Sequence, residues 1–256
     1  MKHLFSHSSL RGLELDDPHL TRERRQVLGS NRFLNCIYRE WYTLLADSIP
    51  SMDGGILELG SGAGFLREFI PGVITSEIFH ISDVSVILDG ERLPFTGGSL
   101  CAVVMTDVLH HIPNPRSFFC EAGRCIRPGG VVSMIEPWNT PWSKLAYNWL
   151  HHEPFLPQAL TWEFPSSGPL SGANGANPWI IFHRDRHIFE KEFPTWQIER
   201  IQPMYPLRYL LSGGISRRNL APAWSYTFWR RLEEVFKHWS VRSAMFALVI
   251  LRLKYQ

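Results

Sequence analysis

A glycine-rich turn between an apolar strand and a helix constrains the fold of this chain more than any other feature of its sequence. Residues 58–64 read ELGSGAG and directly follow the strand-like run 55–59. A predicted helix starts at Phe65, and Pro71 and Gly72 stop it. Glycines at such a turn let the backbone approach a ligand closely, because no Cβ is in the way, and the helix N-terminus offers free N–H groups. The spacing is GxGxG, whereas the dinucleotide fingerprint is GxGxxG, so the turn argues against NAD and FAD.

Short apolar runs alternate with turn and helix signals from residue 54 to residue 130, which is the pattern of a parallel α/β sheet. The predicted strands cover residues 55–59, 73–77, 84–88, 101–106 and 131–135. Pro115 sits well in the first turn of a helix before the fifth strand. Few residues separate the second strand from the third, so the usual helix between them is missing or reduced to a turn.

The flanking segments are less regular. Residues 1–20 predict a loose arm, and apolar residues at helical spacing over 21–48 predict one amphipathic helix or two. After the fifth strand we expect the elements in this order: a helix over 143–151, a long loop or lid over 153–180, a short helix over 184–193, a strand over 196–204, a helix over 224–239 and a last strand over 246–253.

Composition excludes several classes of protein. The chain has 256 residues and a formal net charge of +2, which argues against a dedicated nucleic-acid binder with a concentrated basic face. Its four cysteines form no CxxC pair, so we expect reduced thiols and a cytoplasmic protein. The N-terminal apolar stretch is too short for a signal peptide. The run 244–251 is too short to span a bilayer, so no membrane span is expected.

Two acidic residues follow later strands at the edge where open α/β sheets bind ligands. Glu77 closes the second strand, where a carboxylate can accept hydrogen bonds from both ribose hydroxyls. Asp89 closes the third, where a carboxylate could accept from an adenine amino group. Either residue alone could merely cap a strand end. Together with the glycine turn, they favour a nucleoside-containing cofactor.

The succession ILELGSGAGF and DGERLPFTGGSLCAVVMTDVLHHIPNPRSFFCEAGRCIRPGG resembles class I S-adenosylmethionine (SAM)-dependent methyltransferases over about residues 54–137. The likeness is closest to the small-molecule branch that includes ubiquinone and menaquinone biosynthesis enzymes. It implies SAM as cofactor and S-adenosylhomocysteine as product. It also implies a Rossmann-like α/β fold with helices on both faces, a seven-stranded, mostly parallel sheet of order 3-2-1-4-5-7-6, an antiparallel last strand and a lid insertion after the fifth strand.

The resemblance also implies which residues contact the cofactor. The glycine turn, with Gly60, Ser61, Gly62 and Gly64, meets the methionine part of SAM, and Glu58 matches an acidic position near its amino group. Glu77 matches the ribose-binding acid. The other positions lie at the adenine (Asp89 and Gly90) or line the cofactor after the fourth strand (Asp107, Val108 and Leu109).

Histidines are the candidate catalytic groups. Methyl transfer from a sulfonium is a direct displacement, so a base is needed only when the nucleophile carries a proton. His111, in the pair with His110 after the fourth strand, can act as that base or simply pack around the cofactor. The candidates at the start of the lid are His151, His152 and Glu153. A helix C-terminus also favours histidines electrostatically. Adjacent helical residues point in different directions, so we predict no metal site from this trio.

Aromatic and basic residues in the second half complete the acceptor side. Several tryptophans and two tyrosines either line an apolar pocket or belong to the core: Trp138, Trp142, Trp149, Trp162, Trp179, Tyr205 and Tyr209. Three arginines could meet an acidic acceptor group, although solvent exposure is expected of them: Arg208, Arg217 and Arg218.

We therefore predict an N-terminal arm and helices over 1–50, followed by one SAM-binding domain over 51–256 with a lid and acceptor region at about 138–220. The predicted function is methyl transfer to a small, apolar or aromatic acceptor, without nucleic acid. Three alternatives remain at this point: a non-catalytic SAM-binding protein that acts through a partner, an RNA methyltransferase and a nicotinamide oxidoreductase. The acceptor, the methylated atom and the oligomeric state stay open.

Overall fold

A seven-stranded mixed sheet forms the centre of the computed structural model, which describes residues 18–150, 153–166, 168, 172–216, 218–236 and 240–255. The strands are β1 (Gly55–Leu59), β2 (Ile74–Glu77), β3 (Val86–Ile87), β4 (Leu100–Thr106), β5 (Ile126–Pro137), β6 (Trp196–Met204) and β7 (Phe246–Leu253). Their order is β3-β2-β1-β4-β5-β7-β6. The first five strands are parallel, and β7 runs antiparallel to both β5 and β6. The predicted sheet order and the antiparallel last strand are confirmed.

The sequences of the inner strands explain their positions. β4 and β7 are nearly continuous apolar runs, and all but one residue of each is buried. Such runs suit strands that are covered on both faces, whereas in β6, at the edge, only the first and the last residue are buried. β3 is only two residues long, at the opposite edge, and is shorter than the predicted 84–88.

The α-helices are α1 (Pro18–Ser30), α2 (Arg32–Ser48), α3 (Pro115–Cys125), α4 (Pro141–Leu150), α5 (Asn177–Trp179), α6 (Arg186–Glu192), α7 (Arg208–Ser212), α8 (Tyr226–Val235) and α9 (Ser240–Ser243). Asn31 separates α1 from α2, because its side chain accepts a hydrogen bond from the Leu34 N–H at 3.1 Å and caps the second helix. Asn114 caps α3 in the same way, with Pro115 in the first turn as predicted.

Several sequence-based boundaries were wrong, and three of these differences have a clear physical reason. The helix after the glycine turn is a single 3-10 turn, Leu66–Glu68, because Pro71 and Gly72 leave no room for more. β5 begins at Ile126 rather than at residue 131. A register shift against β4 accommodates the glycines at its start, and a Cβ on Gly130 would lie 2.5 Å from the Cys101 carbonyl oxygen. The last part of the predicted arm, residues 18–20, belongs to α1, since proline is tolerated at a helix start. Residues 1–17 lie outside the described part of the chain.

The long connection between β5 and β6 lies over the carboxyl end of the sheet. It contains α4, the irregular residues 153–176 as far as they are described, α5, a π-helical turn (Ile180–Arg184) and α6. The Asn174 N–H donates to the His110 carbonyl at 3.0 Å, and the Phe164 N–H donates to the Pro113 carbonyl at 3.2 Å. These bonds fix the connection above the loop that follows β4. Among the described helices, none has the length and apolar character needed to cross a bilayer.

Candidate functional site

The glycine turn after β1 has a fixed backbone that excludes side chains. Gly60 and Gly62 have φ angles of 66° and 51°, which favour glycine. A Cβ on Gly60 would lie 2.6 Å from the Val108 Cγ2 atom. The turn is tied to β2, because the Ser61 N–H donates to the Ser76 carbonyl at 2.8 Å and the Ser76 N–H donates to the Ser61 hydroxyl at 3.1 Å. Two hydrogen bonds thus hold the turn against β2.

Glu77, the last residue of β2, points at this turn. Its Oε1 accepts from the Gly62 N–H at 2.5 Å, and its Oε2 accepts from the Ile78 N–H at 3.3 Å. Burial raises the pKa of Glu77, and these two hydrogen bonds oppose the rise. A carboxylate offers about four acceptor positions, so both bonds orient the group and leave capacity for ligand hydroxyls.

Glu58 is a second buried carboxyl beside the turn, only 4% exposed. Burial raises its pKa to about 7, a hydrogen bond from the Ser61 side chain lowers it, and the charge of Glu77 raises it further. Two neighbouring buried carboxyls make this part of the site favourable for a cation. Gly64 faces α2, where a Cβ would lie 2.3 Å from the Tyr42 hydroxyl oxygen.

The loop after β3 brings a third acid to the same edge. The Leu88 N–H donates to the Glu77 carbonyl at 2.9 Å, which aligns Asp89 with the end of β2. Asp89 is exposed, and its Oδ1 accepts from the Glu91 N–H at 2.9 Å. Gly90 packs against β1, since a Cβ there would lie 3.1 Å from the Leu59 Cδ2 atom.

A buried glutamate holds the segment that follows β4. Glu136, at the end of β5, is fully buried, and its Oε1 accepts from the Val108 N–H at 2.8 Å and from the Leu109 N–H at 2.7 Å. Asp107 has a φ of 63°, so the chain turns sharply there and places Val108 over Gly60. Sequence reasoning missed Glu136. The only signal was a charged residue at the end of an apolar strand.

The two histidines of the next turn share a carboxylate. The His110 Nδ1 lies 2.8 Å from the Glu136 Oε2, and its Nε2 lies 3.5 Å from the Glu153 Oε2. The His111 Nε2 lies 3.9 Å from the Glu153 Oε1. The structure thus brings together His111 and Glu153, two of the four predicted catalytic candidates. The other two, His151 and His152, lie outside the described residues.

The environments of these imidazoles differ. Burial alone would lower the pKa of His110, but the hydrogen bonds to Glu136 and Glu153 outweigh it and raise this pKa well above its usual value. Burial, together with the neighbouring charge of His110, lowers the pKa of His111 to about 3. His111 is therefore neutral at physiological pH.

A pocket with four aromatic residues in its wall opens beside this cluster. It is lined by Asp107, Pro137, Tyr147, Glu153, Pro154, Phe155, Gly175, Tyr209 and Phe246. The Tyr147 hydroxyl donates to the Met245 carbonyl at 2.7 Å, which fixes one wall. Burial raises the pKa of Asp107 to about 7, although the charge of His110 opposes the rise. Chemically, the lining combines four aromatic rings with the carboxyl groups of Asp107 and Glu153.

Other predicted acceptor residues lie elsewhere. None of the five candidate tryptophans lines this pocket: Trp138 and Trp162 are core residues, Trp149 is exposed, Trp142 is partly exposed and Trp179 is half-buried. The expectation of solvent exposure was wrong for Arg208, which is only 6% exposed and forms ion pairs with Glu40 and Glu233. Arg218 is exposed, and Arg217 lies outside the described residues.

Comparison with known proteins agrees with the fold. Residues 57–134 match the family model described as a methyltransferase domain, from β1 to most of β5. A search of curated proteins found no significant match. Two similar solved structures have a TM-score of 0.50. One is a chain of the Haloferax volcanii complex between the Trm112 methyltransferase activator and a methyltransferase (12% identity, covering 91% of this chain and 98% of that chain). The other is geranyl diphosphate C-methyltransferase from Streptomyces coelicolor (11% identity, covering 98% and 89%). The sheet thus has the Rossmann-like fold of class I methyltransferases, with a methyltransferase-domain match over residues 57–134.

Proposed function

We propose that this protein transfers a methyl group from SAM to a small, apolar or aromatic acceptor and releases S-adenosylhomocysteine. The observation that carries the proposal is the contact between the Glu77 carboxylate and the Gly62 N–H at the edge where β1 and β2 end. In this proposal Glu77 is the ribose-binding acid, and it contacts a turn whose positive φ angles at Gly60 and Gly62 favour glycine. The domain match and the fold are consistent with SAM as the cofactor.

The cofactor would lie along the carboxyl ends of β1 to β4. In this proposal, the methionine part of the cofactor contacts the glycine turn (Gly60, Ser61, Gly62 and Gly64), and its ammonium group faces Glu58. The ribose is bound by Glu77, and the adenine is bordered by Asp89 and Gly90. The remaining side of the cofactor is lined by Asp107, Val108 and Leu109. The buried carboxyls of Glu58 and Glu77 support the placement, because the methionine end of SAM carries an ammonium and a sulfonium charge.

The acceptor would occupy the pocket beside Asp107 and Glu153. Its nucleophilic atom attacks the methyl carbon, a bond to the acceptor forms, and the electron pair of the broken C–S bond goes to sulfur. The protein mainly aligns the two reactants. His111 and Glu153 lie where they can orient a polar group of the acceptor, and the chain places His151 and His152 directly before Glu153.

A calorimetric titration with SAM, S-adenosylhomocysteine and NADH tests the cofactor. We expect micromolar binding of the two sulfur nucleotides and no binding of NADH. Binding of NADH alone, or of none of the three, would contradict the proposal.

The acceptor is tested on a panel of hydroxylated aromatic and quinol-type molecules by mass detection of the methylated product. This panel also examines the ubiquinone- and menaquinone-like branch, which stays a prediction, as does a cytoplasmic location.

Glu153→Gln should lower turnover and leave SAM affinity unchanged. Tight SAM binding without turnover on any acceptor would favour a protein that acts through a partner, and salt-sensitive RNA binding would favour an RNA substrate.

A further inference from the structure

Three potential metal ligands converge at the wall of the acceptor pocket. His110, His111 and Glu153 each offer one atom, and these three atoms lie within 4.8 Å of one another. The Glu153 carboxylate oxygens lie 3.5 Å from the His110 Nε2 and 3.9 Å from the His111 Nε2. Donors on one zinc ion, with bonds of about 2.0–2.1 Å, lie roughly 3.3 Å apart in a tetrahedral site. A small inward movement of the three side chains would therefore let all of them bind one ion.

The second nitrogen of each imidazole already has an acceptor. The His110 Nδ1 lies 2.8 Å from the fully buried Glu136 carboxylate, and the His111 Nδ1 lies 3.3 Å from the Gly172 carbonyl oxygen. A proton on Nδ1 satisfies both contacts, the Nε2 atoms face Glu153, and a metal ion would displace any proton on Nε2. Metal-binding histidines almost always have such a partner on their other nitrogen, since it fixes the ring and the tautomer.

The surrounding charges also favour a cation. Three carboxyl groups, of Asp107, Glu136 and Glu153, lie around the two imidazoles. Two imidazoles and one carboxylate are ligands that Zn²⁺ and Fe²⁺ prefer, whereas Mg²⁺ and Ca²⁺ prefer oxygen ligands. Three protein ligands leave coordination positions open for a substrate atom, as in catalytic zinc sites.

We propose that His110, His111 and Glu153 bind a divalent first-row transition-metal ion, such as Zn²⁺, that holds an oxygen atom of the acceptor. Glu153 lines the acceptor pocket, so an ion bound to this trio borders the bound acceptor. This site differs from the His151–Glu153 trio considered from the sequence, because Glu153 is joined here by a histidine pair from the turn after β4. The sequence spacing predicted no metal site.

The role of the ion rests on the proposed methyl transfer. As a Lewis acid, it would lower the pKa of an acceptor hydroxyl, whose proton passes to water. The oxygen then forms a bond to the methyl carbon while the C–S bond breaks and its electron pair goes to sulfur. The acceptor class is thus an aromatic or apolar molecule with a hydroxyl or enol oxygen.

Titration with Co²⁺ alone tests the site without SAM or acceptor. The full chain, without a polyhistidine tag, is stripped with a chelator and titrated in the visible range. We expect one Co²⁺ per chain, with the intense absorption of a four- or five-coordinate ion. Glu153→Gln and His111→Ala should each weaken binding at least 10-fold, and Glu136→Gln should weaken it about 10–100-fold through His110. The control His183→Ala, which removes an exposed histidine, should leave binding unchanged.

Three outcomes would overturn the metal site: a folded wild-type chain that binds no Co²⁺, binding that persists in both Glu153→Gln and His111→Ala, or equal loss in His183→Ala. Circular dichroism checks that each variant folds, and Glu153→Gln changes no side-chain volume at a partly exposed position. SAM binding without Co²⁺ binding would overturn the metal site alone. Co²⁺ binding without SAM binding would overturn the proposed transfer and leave the metal site standing.

Discussion

Gly60 and Gly62 belong to one turn, yet a side chain would be excluded from each for a different reason. At Gly60 a Cβ would collide with Val108 at 2.6 Å, so the protein itself forbids it. At Gly62 the nearest atom to a Cβ lies 3.7 Å away. The space beside Gly62 is open, and a ligand rather than the protein would occupy it. This difference makes Gly62 the better position for a test of cofactor binding.

Gly62→Leu should abolish detectable SAM binding and destabilise the fold only slightly. A left-handed backbone costs a non-glycine residue roughly 1–2 kcal/mol, and the side chain would project into the cofactor site. Gly72→Leu is the matched control, because Gly72 also has a positive φ of 79° with no atom within 4 Å of a Cβ. Calorimetry and urea unfolding measure both effects. Equal SAM affinity in the two variants would remove the turn from the cofactor site.

Glu77→Ala should weaken SAM binding by about 1–3 kcal/mol, the range for a lost buried hydrogen-bond partner. The variant loses the ribose acceptor and also the anchor of the Gly62 N–H. Glu68→Ala serves as control, since this acid is exposed and pairs with Arg39. A change in affinity within the error of calorimetry would place the ribose acid elsewhere.

Sequence reasoning predicted the location of residues whose position follows from their place on a strand. Glu58 and Glu77 stand at the ends of β1 and β2, and the strand pattern alone brings them to one edge. Glu136 was missed because it acts on the backbone of Val108 and Leu109, far away in the chain. The partner of Glu153 was also missed, since no local pattern indicates that His111 lies opposite it. Contacts that depend on how a long connection folds back leave no periodic signal.

At the scale of elements, one buried arginine joins three helices. Arg208, at the start of α7, donates to both carboxylate oxygens of Glu40 on α2 at 3.0 Å, and its Nε donates to Glu233 on α8 at 2.6 Å. It also donates to the Tyr226 hydroxyl at 2.7 Å. Since α7 and α8 are short, these bonds fix their positions against α2.

Arg208→Ala should lower the free energy of unfolding by about 3–5 kcal/mol, because it leaves the buried Glu233 carboxylate without its arginine partner. Arg230→Ala is the control: this arginine also pairs with Glu40, at 3.7 Å, but its side chain is 51% exposed. Its loss should cost no more than about 1 kcal/mol. Urea unfolding measures the free energy of unfolding of both variants. If Arg208→Ala also lost no more than about 1 kcal/mol, the cluster would contribute little to stability.

Elements with clear periodicity were predicted well. The strands 196–204 and 246–253 were placed with their observed bounds. The segment after the glycine turn looked helical from its apolar residues, but it is too short for more than one 3-10 turn. The glycines at 129 and 130 looked like a loop, because the register shift that admits them into β5 depends on the neighbouring strand.

At the scale of the whole molecule, the buried acids of the proposed cofactor site should make stability depend on pH. The folded pKa values of Glu58 and Glu77 are raised above the usual value of 4.5. Groups of this kind stabilise the folded state at low pH, where they are protonated. For Glu58, this stability is lost as pH rises from about 4.5 through its folded pKa of about 7.

Glu58→Gln should therefore gain stability relative to the wild type as pH rises. Between pH 5 and pH 8 the difference in unfolding free energy should change by about 2–3 kcal/mol in favour of the variant. Urea unfolding without cofactor at several pH values measures it. Glu68→Gln, at an exposed position, should follow the wild type. A pH-independent difference between Glu58→Gln and the wild type would contradict the raised pKa.

The sheet order followed from the family resemblance rather than from periodicity, since nothing local in the sequence of β7 says that it lies between β5 and β6.

The position of β7 between β5 and β6 has a consequence for protein synthesis. β6 has only β7 as a neighbour in the sheet, yet β7 emerges from the ribosome more than 40 residues later. Until then β6 lacks its partner, and the adjoining edge of β5 stays open. Strands β1 to β5 can pair with one another early during translation, whereas β6 must wait for β7, and in that interval the edge of β5 stays unpaired.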